Sequence, residues 1–199
     1  MTVDTLPQPE KTLNGKSMVI TGATSGIGLA LAQLALMNGA WVIGVGRSEE
    51  RCDAARSLLD AELVEGEINF LPADLSLLQE TKKLSGRIHL QLGDWGITSL
   101  DALILNAATV PFRQVRTGEG FDSQWVVNYL SGFLLAFSLM DMLTQARQGR
   151  IISVSSQSHY HTRIRWDDLQ MLKRYNPLMA YKQSKLAQVI FSAEFNRRF

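Results

Sequence analysis

The chain has 199 residues, 46% of them hydrophobic and 20% charged, a composition that allows one substantial core in a single soluble domain. Its 20 basic and 19 acidic residues are dispersed and leave a formal net charge of +1, which gives no overall footprint for nucleic acid or an anionic membrane. One cysteine, Cys52, excludes an intrachain disulfide and a thiolate zinc cluster, His89, His159 and His161 offer no metal set, and a reducing cytoplasmic compartment is expected.

Residues Met1 to Lys16 are polar and carry Pro7 and Pro9, unlike a secretory signal or a membrane anchor. A flexible arm over 1–14 and one domain over 15–199 are expected. The first strand, Met18 to Thr21, runs into Thr21-Gly22-Ala23-Thr24-Ser25-Gly26-Ile27-Gly28, and Leu29 to Met37 continues as a helix. Strand, glycine turn and helix in that order make a dinucleotide-binding unit. Gly22 permits a sharp exit from the strand, Gly26 removes a side chain where a pyrophosphate approaches, and Gly28 permits close helix packing. Free amides at the helix start face the phosphates.

The second strand, Trp41 to Val45, ends in Gly46-Arg47-Ser48, with no acid before Glu49. A carboxylate there selects a free ribose 2′-hydroxyl, whereas a cation accommodates a 2′-phosphate, so Arg47, helped by Arg51 a turn later, favours NADP(H) over NAD(H). The third strand, Ile68 to Leu71, leads to Pro72-Ala73-Asp74-Leu75, where Asp74 is either a nucleotide contact or a helix cap. The fourth, Leu103 to Leu105, ends in Asn106-Ala107-Ala108.

A long helix is predicted around Asp122 to Ala146. Its stretch Val126 to Leu143 has the length of a membrane span, but Asn128 and Asp141 interrupt it, so a buried helix is expected instead. The amide of Asn128, set among apolar neighbours, needs a partner. The fifth strand, Arg150 to Val154, is followed by Ser155 and Ser156, and a last helix runs from about Pro177 to Arg198. Short, continuously apolar strands alternating with helices predict an α/β fold: a Rossmann-type doubly wound parallel sheet with helices on both faces. The ligand then lies at the carboxyl ends of the strands. No sixth strand follows before Phe199, so the fifth is expected as a hydrophobic edge, in a truncated product or a part of a longer polypeptide.

Tyr181 and Lys185 are four residues apart and share a helix face. A phenol with a reference pKa near 10 needs roughly 4 kcal/mol of anion stabilisation to exchange its proton near neutrality. An ammonium about 4 Å away supplies about 1 kcal/mol in water but about 4 kcal/mol at an effective dielectric near 20. The pair therefore works only in a partly desolvated cleft.

These motifs, in this order, resemble the short-chain dehydrogenase/reductase family over residues 15 to 199. The glycine turn fits its Thr-Gly-x-x-x-Gly-x-Gly pattern, Asn106-Ala107-Ala108 is similar to its Asn-Asn-Ala-Gly, and Tyr181 to Lys185 give its Tyr-x-x-x-Lys signature. Leu105 and Ala108 depart from that pattern. The resemblance implies a catalytic set of Asn128, Ser156, Tyr181 and Lys185, with Ser155 competing for the role of Ser156. Asn128 is implied to bend its helix and hold a water leading to the lysine. Cofactor contacts are implied at Gly22, Thr24, Ser25, Gly26, Ile27, Gly28, Arg47, Arg51, Asp74, Leu75, Asn106 and Ala107, and at Tyr181 and Lys185.

The implied activity is hydride transfer between NADP(H) and a carbonyl or alcohol substrate. The implied assembly is a homodimer or homotetramer through the two long helices. Twenty-four residues separate Ser156 from Tyr181, a spacing similar to the retinol-dehydrogenase-like and protochlorophyllide-reductase-like branches. That stretch holds His159, Tyr160, His161, Arg163, Arg165 and Trp166, either a pocket border or a surface loop. A cofactor-binding or regulatory module without turnover is the alternative reading.

Overall fold

Runs of Val, Ile and Leu closed off by glycine turns form five strands in the computed structural model, which describes residues 12–60 and 66–199. They are β1 (Ser17–Thr21), β2 (Trp41–Gly46), β3 (Glu67–Pro72), β4 (Ala102–Leu105) and β5 (Arg150–Ser153). All pair in parallel, in the order β3-β2-β1-β4-β5, so β1 is central and the winding reverses beside it. That reversal opens a crevice at the carboxyl ends of β1 and β4.

Successive strand residues face opposite layers. Val19, Ile43, Leu71 and Leu103 pack with α3 (Leu78–Asp94), α5 (Ser131–Ser138), α6 (Met140–Gln145) and Phe191 of α7 (Pro177–Arg198). Ile20, Val42, Phe70 and Ile104 face α1 (Gly26–Met37) and α2 (Glu49–Asp60). Leu84, Ile88 and Leu92 recur at helical spacing along α3 and are fully buried, each contributing about 1.5–3 kcal/mol.

One expectation is corrected. The helix anticipated around Asp122–Ala146 is four segments: α4 (Ser123–Trp125), a π turn at Val126–Leu130, α5 and α6. The π turn surrounds Asn128, and the Ser131 amide reaches back five residues to the Val126 carbonyl. At Leu139 the backbone leaves helical geometry and separates α5 from α6. The expected arm lies outside the described residues up to residue 11. Leu13 donates its amide to the Asn38 carbonyl at 3.2 Å, and Gly15 donates to Gly39 at 3.3 Å. Just beyond, the Lys16 ammonium pairs with Asp101 at 2.8 Å. No helix among the described residues is long and apolar enough to cross a membrane.

Candidate active site

The glycine turn, the ends of β2 and β3 and the exit of β4 enclose a cleft of about 370 Å³. Of the residues expected to hold a cofactor, ten line it: Gly22, Thr24, Ser25, Ile27, Arg47, Arg51, Asp74, Leu75, Asn106 and Ala107. Gly26 and Gly28 shape it without being part of its lining. Gly26 has φ +53°, and a Cβ there would meet nothing within 4 Å, so space lies open in front of that amide. Gly28 is sealed: a Cβ would stand 2.2 Å from the Gly22 carbonyl oxygen and 2.6 Å from the Asn106 amide nitrogen. Close packing of α1 on the β1 turn therefore depends on glycine at 28.

Asn106 ties the two sides of the crevice together. Its Nδ2 donates to the Thr21 carbonyl at 2.9 Å and the Gly22 carbonyl at 3.3 Å. Thr21 Oγ1 in turn accepts from the amides of Asn106 and Ala107. Arg47 and Arg51 are exposed on the cleft, and neither guanidinium has a hydrogen-bonded or ion-paired partner among the described residues. Asp74 does not cap α3. Its Oδ1 accepts from the Ser76 amide at 2.9 Å, while the carboxylate of Glu119, from the β4–α4 loop, takes the α3 amides of Leu78 and Gln79 at 2.7 and 3.0 Å.

The second set of predicted residues gathers where β5 ends against α7. Lys185 is 2% exposed and donates from Nζ to the Val154 carbonyl at 2.9 Å, with Nζ 5.8 Å from the centre of the Tyr181 ring. Burial pushes its ammonium down to about 8. Ser156 Oγ accepts from the Ser158 amide at 3.2 Å, which leaves its own proton available to donate. Ser155 Oγ is closed off from solvent and has no hydrogen-bond partner among the described residues. A 3₁₀ turn, Gln157–His159, begins at Ser156 and packs on α7.

Asn128, 2% exposed, accepts the Thr109 amide at 2.7 Å on Oδ1. Its two Nδ2 protons go to the Thr109 carbonyl at 3.1 Å and to Ser184 Oγ at 3.0 Å. The side chain thus joins the β4–α4 loop to the residue beside Lys185, keeping one acceptor lone pair on Oδ1.

The insert between Ser156 and Tyr181 is a strap held by buried glutamines that residue patterns did not mark. Gln183, 1% exposed, accepts the Arg165 amide at 2.8 Å and donates to the Leu169 carbonyl at 2.7 Å. Gln170 takes the Asp122 amide at 2.8 Å, and Gln124 donates to Tyr175 Oη at 2.8 Å. Further wall residues of the cleft, Val45, Gly46, Ala73, Ala108 and Val127, also lacked a chemical signal. Position next to the strand ends was the one clue to them.

A parallel sheet with its cleft at the winding reversal, walled by a glycine turn, defines a dinucleotide-binding Rossmann protein. Residues 16–167 match the family model for short chain dehydrogenase, and the chain belongs to that family. It is 35% identical over 188 residues to retinol dehydrogenase 13 of Homo sapiens, covering 94% of this chain and 55% of that protein. It is 30% identical over 195 residues to human polyprenol dehydrogenase, covering 96% and 56%. The chain thus spans about half the length of these curated relatives, and its likeness to retinol dehydrogenase 13 agrees with a retinol-dehydrogenase-like branch. The Pseudomonas aeruginosa RhlG/NADP active-site complex aligns with a TM-score of 0.73 at 25% identity, over 96% of this chain and 70% of that one.

Proposed function

We propose that the protein is an NADP(H)-dependent oxidoreductase interconverting a carbonyl compound and its alcohol, with Tyr181 as the general acid/base. One observation carries the cofactor part of this reading: two unpaired guanidiniums, Arg47 and Arg51, stand on the same cleft as the glycine turn. The open space before Gly26 leaves room for a pyrophosphate, and Arg47 offers a 2′-phosphate a charge-assisted fork. A free 2′-hydroxyl would be met better by a carboxylate, and β2 ends without one. The solved RhlG complex and a metagenomic short-chain oxidoreductase, 25% identical with a TM-score of 0.72, are both described with NADP.

Bound there, the nicotinamide supplies or takes up the hydride. The rest of the chemistry belongs to the protein. Tyr181 gives its phenolic proton to the substrate oxygen in reduction and recovers it in oxidation. The Ser156 hydroxyl, already accepting from Ser158, donates to that oxygen and holds it beside the phenol. Lys185, buried and fixed by Val154, sets its ammonium beside the Tyr181 ring. Asn128 is a positioning residue that braces the helix turn carrying Lys185, and its remaining lone pair can hold a water leading to the lysine.

A Tyr181→Phe variant tests the assignment. It should bind NADPH as the parent does but lose about 10²–10⁴ of turnover on any accepted carbonyl, followed by loss of nicotinamide absorbance. Full retention of turnover would remove Tyr181 from the chemistry. A second reading, cofactor binding without turnover, is favoured by the outer edge of β5, which has no strand partner among the described residues and borders an apolar groove containing Phe191, Phe195 and Phe199. On that reading NADPH binds and no carbonyl is reduced.

A further inference from the structure

The arginine side chains divide sharply. Arg56, Arg87, Arg116, Arg150, Arg197 and Arg198 each donate to a carbonyl, amide or carboxylate oxygen. Seven have no side-chain hydrogen bond or ion pair among the described residues, and five of these line just two cavities. Arg47 and Arg51 border the nucleotide cleft. Arg163, Arg165 and Arg174 border a separate cavity of about 520 Å³ formed by the strap.

Two carboxylates, Asp167 and Asp168, line this cavity beside Arg163, Arg165, Arg174 and Lys173, so its lining keeps an excess of positive charge. Asp168 spends both oxygens on backbone amides, accepting from Leu172 at 2.7 Å and Lys173 at 3.1 Å. Asp167 accepts from the Lys173 ammonium at 3.2 Å, which with Arg165 as a further positive neighbour holds its carboxyl below the usual range. Arg163, Arg165 and Arg174 therefore border one concave space, none of them in a side-chain hydrogen bond or ion pair among the described residues. The backbone that presents them is fixed by the buried Gln183 clamp on Arg165 and Leu169, and by Met171, which is 1% exposed with φ 54°. Trp166, 79% exposed, lines the same space and adds an indole face and an N–H donor. Forked donors on a rigid backbone suit the several oxygens and high charge of a phosphate group better than a single carboxylate.

We propose that the strap cavity is a phosphate-binding site, distinct from the nucleotide cleft, that takes a phosphate monoester or diester through Arg163, Arg165 and Arg174. The chemistry is shared by a soluble phosphorylated compound and by a phospholipid headgroup. The near-zero charge of the whole chain conceals this local excess.

Trp166 makes the site measurable. Titrating the 199-residue protein with inorganic phosphate at low ionic strength, against chloride of matched ionic strength, should give a saturating change in tryptophan emission that Trp166→Phe abolishes. Isothermal calorimetry with the nucleotide cleft saturated by NADPH gives the affinity, which should fall at least tenfold in an Arg163→Glu/Arg165→Glu variant and less in Arg163→Gln/Arg165→Gln. NADPH titration of the charge-reversal variant reports its folding and keeps this site separate from the cleft. Co-sedimentation with phosphatidylcholine vesicles, with and without phosphatidic acid, distinguishes the sources: retention on phosphatidic acid that charge reversal abolishes identifies a headgroup, and phosphate binding without retention identifies a soluble ligand. An absent saturable response to phosphate, or one indifferent to Arg163 and Arg165, overturns the proposal.

Discussion

Lys185 shows how one buried side chain couples stability to chemistry. Its folded pKa of about 8 lies below the ordinary lysine value of 10.5, because burial disfavours the ammonium. Between those two values the unfolded chain binds the extra proton, so stability rises with pH through that window. Lys185 opposes folding at neutrality by roughly 3 kcal/mol at most. Urea midpoints measured from pH 7.5 to 10.5 should therefore climb in the parent relative to Lys185→Met, and parallel pH profiles would contradict the burial argument. Gly28 is the other sensitive residue. Gly28→Ala pushes a methyl against the Gly22 carbonyl, which is backbone and cannot swing away, and should destabilise the fold by about 1–3 kcal/mol or more in urea denaturation. An unchanged midpoint would show that α1 moves freely on the β1 turn.

At the scale of elements, α3 begins without a cap from its own sequence. Its first amides are met by Glu119, about forty residues later, so Glu119→Ala should cost about 1 kcal/mol and fray α3, read by denaturation and amide exchange near Leu78. Loss of stability without exchange near Leu78 would place the role of Glu119 elsewhere. This cap also shows where sequence reading stops. The strands and α7 were legible because apolar runs and a start at Pro177 are local signals. The glycine turn and the Tyr181–Lys185 spacing were legible for the same reason. The bend at Asn128 was legible only through the family resemblance, and its partners Thr109 and Ser184 were not legible at all, because the fold brings them together. The glutamine clamps of the strap were hidden likewise, since glutamine is an ordinary surface residue until another loop covers it.

For the whole molecule, β5 leaves one edge of the sheet without a strand partner among the described residues, and Ile152 there is half exposed. Such an edge adds strands from neighbouring chains. Light scattering at rising concentration should show self-association of the 199-residue protein that Ile152→Lys reduces, and equal behaviour of the two would locate any association elsewhere. The central claim is that the cleft beside β1 reads a 2′-phosphate through Arg47. It is tested most directly by fluorescence titration with NADPH and NADH on the parent and on Arg47→Ala. The account predicts tighter NADPH binding by the parent, about tenfold or more of it lost in the variant, with NADH affinity unchanged. Equal affinities for the two nucleotides, or an NADPH preference that survives Arg47→Ala, would contradict it.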